Sequence, residues 1–84
     1  MKTIDTEQIR QYIVELKPEV RDFPLDATSG LFDAGALDSY TVIMLIQTLE
    51  ERLDIVFDYS DLRAFNFENL EAILKLLKTK YDVK

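Results

Sequence analysis

Both prolines and both glycines of the chain fall in one stretch, between Pro18 and Gly35. Proline and glycine are the residues a helix interior tolerates least. Long helices are therefore expected on either side of this stretch, and a long ordered loop within it. The loop runs from Pro18 to Asp38, with Phe23, Leu25, Leu31, Phe32 and Leu37 as apolar anchors to the core. A connection longer than about 12–15 residues is uncommon and often functional.

Apolar residues outside the loop recur at helical spacing. The first helix is expected from Thr6 to Lys17, with Ile9, Ile13 and Leu16 on one face. Asp5 is its N-cap, Gln8 a capping-box partner, and Pro18 its exit, because the residue before a proline disfavours helix. The second is expected from Ser39 to Leu53, with the stripe Val42, Leu45, Ile46, Leu49 and Leu53. Ile43 flanks that stripe and is a candidate wall for a cavity. Ile55 and Phe57 read as a short extended piece, and Tyr59 to Phe65 as one short helix. The last helix starts at Asn66 or Asn69, either of which can cap it, and buries Leu70, Ile73, Leu74 and Leu77. Lys75, Lys78 and Lys80 in its last turns complement the helix dipole. The fold class is all-α: a four-helix bundle of three main helices plus a short one, in a single domain spanning 1–84.

Several function classes are disfavoured by what the chain lacks. With 84 residues it buries a small core, unsuited to a deep catalytic cleft. It has no cysteine and no histidine, hence no thiolate chemistry and neither the commonest general base nor the commonest metal ligand. No metal-ligand cluster is seen; Asp58 and Asp61 read as caps or solvated surface rather than a calcium loop. Hydrophobic residues make up 48% and charged residues 31%, as in a soluble globular domain. The longest apolar run, Val42 to Ile46, is far short of the ~20 residues that span a bilayer. The first residues show no apolar signal region, which reads as a cytoplasmic protein. The net charge is −6, and Leu31 to Glu71 holds nine acids against two bases. That balance argues against nucleic-acid binding and suits docking on basic patches of other proteins.

The informative segment is Leu31-Phe32-Asp33-Ala34-Gly35-Ala36-Leu37-Asp38-Ser39, followed at once by the second helix. It resembles the phosphopantetheine attachment signature of the acyl and peptidyl carrier proteins, Gly-x-x-Asp-Ser at a helix start. The helix order, the long first loop, Leu49-Glu50-Glu51 and Asn66-Phe67 match that family's layout over nearly the whole chain. The wording Leu31 to Ser39 and the Asp54-Ile55 ending look closest to discrete D-alanyl carriers. Fatty-acid carriers instead place Leu or Met after the serine and an acid five residues beyond it, where this chain has Tyr40 and Met44.

The resemblance implies a stand-alone, monomeric, non-catalytic carrier. Ser39 would take a covalent 4′-phosphopantetheine from coenzyme A, added by a phosphopantetheinyl transferase with Mg²⁺. The arm's thiol would hold an acyl or aminoacyl group as a thioester between a loading ligase and downstream acyl-transfer enzymes. Asp38 would cap the second helix and meet a basic residue of the transferase, and Gly35 would supply a bend. A helix N-terminus favours a phosphodiester at that point. Tyr40 and Met44 lie about 160° and 200° around the helix from Val42; with Gln47, Glu50, Glu51, Asp54 and Asp58 they are candidate docking residues. Two other readings stay open: a helical interaction module of the same fold without the arm, and a small carboxylate enzyme. Intact mass after incubation with a transferase and coenzyme A separates the first two; turnover by the purified chain alone would favour the third.

Overall fold

The structure is a computed structural model and describes residues 3–84. Helix α1 covers Thr6–Leu16, α2 Ser39–Leu53 and α3 Leu70–Lys80. Each starts on a short polar side chain in extended backbone that takes one of the orphan amides of the first turn. Asp5 Oδ1 accepts from the Gln8 amide at 2.8 Å, Asp38 Oδ1 from the Thr41 amide at 2.7 Å, and Asn69 Oδ1 from the Ala72 amide at 2.7 Å. Asn69, not Asn66, is thus the cap of α3. The helix ends differ. α1 stops at Lys17, ahead of Pro18. α2 stops at Asp54, whose φ of 56° is left-handed.

The segments between helices are 3₁₀ turns and loop. Pro18–Asp22 is a 3₁₀ turn inside the long connection. The short helix expected from Tyr59 to Phe65 is instead two 3₁₀ turns, Tyr59–Asp61 and Ala64–Phe67. Asp61, expected at the surface, is 7% exposed. Its carboxylate accepts from Lys80 Nζ at 2.8 Å and Tyr81 Oη at 2.6 Å, tying these turns to the end of α3. The Lys80 hydrogen bond, then that from Tyr81, lowers its pKa.

α1 packs against both α2 and α3. That is why Tyr12 and Val14 are buried beside the expected Ile9 and Ile13. Leu45 and Leu49 of α2 and Ile73 and Leu77 of α3 are fully buried against them, as are Leu31 and Val20 from the long connection. Leu37 and Phe67 complete this core at 2% exposure each. Phe32 is no anchor: it is 38% exposed. Val42, Ile46 and Leu74 are half-buried, because the buried line of α2 runs through Thr41, Leu45 and Leu49. Ile43 is 55% exposed, on the outer side of α2 rather than in a cavity wall. The radius of gyration, 11.7 Å, matches the ~12 Å of a compact chain this long.

Candidate functional site

The loop reaches α2 through a bend pinned at both edges. The Ala36 and Leu37 amides both donate to the Leu31 carbonyl, at 2.9 and 3.1 Å, and Leu31 donates in turn to the Glu68 carbonyl at 2.8 Å. Gly35 supplies the reversal, with φ at 79°. A Cβ there would meet no atom within 4 Å. Glycine is required for its backbone angle and not for space.

Asp38 follows in extended backbone and caps α2 with Oδ1. Oδ2 faces Lys17 Nζ at 3.3 Å, and the same ammonium donates to the Gly35 carbonyl at 2.7 Å. The Asp38 carboxyl is held down to about 2 from an ordinary 3.8. The Thr41 amide is the main cause, then the Thr41 hydroxyl, with the Lys17 ammonium adding less.

Ser39 is the first residue of α2 and is exposed. Because Asp38 has taken the Thr41 amide, the amides of Ser39 and Tyr40 remain at the positive end of the helix. Of the other serines, Ser29 is half-buried with its hydroxyl bonded to Asp26. Ser60 lies in a three-residue 3₁₀ turn. An exposed hydroxyl and free amides at the start of a helix suit a phosphodiester.

The residues expected to dock partners separate into two groups. Tyr40 is 72% exposed, and Gln47, Glu51, Asp54 and Asp58 are exposed with it. Met44, expected on the open face, is half-buried, because it sits toward the Thr41 and Thr48 edge of α2. Glu50, expected as a surface acid, turns inward: its Oε2 accepts from the Phe57 amide at 3.0 Å. Asp54 is exposed but also forms the left-handed end of α2. Lys17 was not among the expected site residues. Among the described residues no cluster of potential metal ligands occurs, and no helix is long and apolar enough to cross a membrane.

Three helices with no strand among the described residues, the first two joined by a long pinned loop, make an all-helical fold of the acyl-carrier kind. The chain belongs to the phosphopantetheine attachment site family, whose model matches residues 7–77. Domains of this family take 4′-phosphopantetheine covalently and act as carriers, generally without catalysis of their own. No curated protein sequence matches the chain.

Proposed function

We propose that Ser39 carries the 4′-phosphopantetheine arm, and that the chain shuttles an acyl or aminoacyl group between partner enzymes as a thioester on the arm's thiol. The observation that carries this reading is Ser39 itself: an exposed hydroxyl in the first position of α2, directly after the Asp38 cap and the Gly35 bend. The arm supplies the thiol that a chain without cysteine lacks. Ser39 supplies the hydroxyl oxygen and the helix start that orients it, while the transferase removes the hydroxyl proton. Asp38 is unsuited to that task, because a carboxyl held near 2 is a weak base.

Loading and unloading enzymes would dock on the exposed side of α2 and the segment after it, through Tyr40, Gln47, Glu51, Asp54 and Asp58. Glu50 is engaged internally and drops out of that set. Tyr40 in place of the aliphatic residue of fatty-acid carriers favours a specialised pathway, with aminoacyl cargo of the D-alanyl kind as one member. The cargo would be chosen by the loading ligase.

Incubation with a phosphopantetheinyl transferase and coenzyme A, followed by intact mass, tests the assignment. Wild type should gain one phosphopantetheine and Ser39→Ala none. The cap belongs to Asp38, so Ser39→Ala should keep its melting temperature. One phosphopantetheine on Ser39→Ala would move the site elsewhere.

A further inference from the structure

Lys17 closes α1, yet its ammonium is spent on the start of α2. Nζ donates to the Gly35 carbonyl at 2.7 Å and to Asp38 Oδ2 at 3.3 Å. The near side of the bend is already fixed, because Ala36 and Leu37 are buried and bonded to Leu31. The far side consists of the Gly35 carbonyl and the Asp38 carboxylate, and Lys17 crosses 18 and 21 positions of sequence to hold them. Arg10, one helical turn and more earlier on α1, works in a parallel way. Its Nη2 donates to the Arg21 carbonyl at 3.0 Å and reaches that of Phe23 at 3.2 Å. Two cations of α1 therefore brace the two ends of one loop.

We propose that Lys17 is a positioning residue for arm transfer. It fixes the Gly35 carbonyl and the outer oxygen of Asp38 in one arrangement, so that the Ser39 hydroxyl meets the transferase in a single orientation. The inference rests on the reading of Ser39 as the attachment residue. It also changes the part given to Asp38. Its outer oxygen, expected to meet a cation of the transferase, is already matched within the chain. An ion pair as open as this one adds little to global stability; its value is geometric. Loss of a fixed orientation slows turnover more than it weakens encounter.

The test uses the full chain with a phosphopantetheinyl transferase and coenzyme A, with initial rates read by intact mass over a range of carrier concentrations. Lys17→Met keeps the aliphatic stem and removes the ammonium. Its kcat should fall about tenfold with KM within about twofold of wild type, and Lys17→Arg should restore most of the loss. Lys17→Gln replaces Lys17→Met in the same comparison should the latter unfold. Wild-type kcat, a loss confined to KM, or a loss that arginine fails to restore overturns the assignment. Ser39→Ala in the same assay keeps the two readings apart. Arm transfer to Ser39→Ala overturns the attachment site, whereas full turnover of the lysine variant with Ser39→Ala inert overturns Lys17 alone.

Discussion

Asp38 divides its carboxylate between the Thr41 amide and the Lys17 ammonium, and both contacts favour the anion. The unfolded chain offers neither, so there the group titrates near 3.8, against about 2 when folded. A carboxyl whose pKa is lowered by folding adds stability above its unfolded pKa and loses it as pH falls through the folded one. Asp38→Ala removes that contribution. The gap in melting temperature between wild type and Asp38→Ala should be constant near neutrality and narrow between about pH 4 and pH 2. A gap that stays constant to about pH 2 would show that Asp38 is no ionised cap. The Asp38 cap and the Gly35 bend are legible in sequence because their work is local: a cap acts within three residues and a bend within one. Lys17 is not, because its partners lie far along the chain. Glu50 misleads for a related reason: the left-handed turn at Asp54 folds the chain back and brings the Phe57 amide to a side chain that periodicity places at the surface.

At the level of elements, α2, like α1 and α3, has one wet and one dry side. Leu45 and Leu49 are fully buried while Tyr40, Ile43, Gln47 and Glu51 face out. Leu49→Ala should destabilise by about 2–5 kcal/mol, read as a shift in urea midpoint at unchanged slope. An unshifted midpoint would mean that the buried line of α2 is drawn through the wrong residues. The first two helices are readable to within a residue, since the periodicity, the caps and the lone Pro–Gly stretch agree, whereas the start of α3 is left between Asn66 and Asn69 and only the Asn69 cap settles it. The Tyr59–Phe67 region was not. Its turns are held by Asp61, Lys80 and Tyr81 across 19 and 20 positions, and no repeat of 3.6 residues encodes such ties.

Across the whole molecule, sequence-distant hydrogen bonds fix the loop that presents Ser39. The Leu31 amide donates to the Glu68 carbonyl at 2.8 Å, and the Glu71 amide to the Ala27 carbonyl at 3.0 Å. Both partners belong to the approach and first turn of α3. In terms of synthesis, Ser39 leaves the ribosome well before the residues that shape its surroundings, and long-range pairings form late because loop closure must precede them. A chain ending at Asp58 would contain Gly35, Asp38 and Ser39 in order yet lack the partners of Leu31 and Ala27. Such a truncated chain should take up phosphopantetheine far more slowly than the full one, with intact mass over time as the measure. Equal rates would mean that the transferase reads the segment as a peptide. With unequal rates, arm addition marks chains that have finished folding, and an unfinished carrier is never charged.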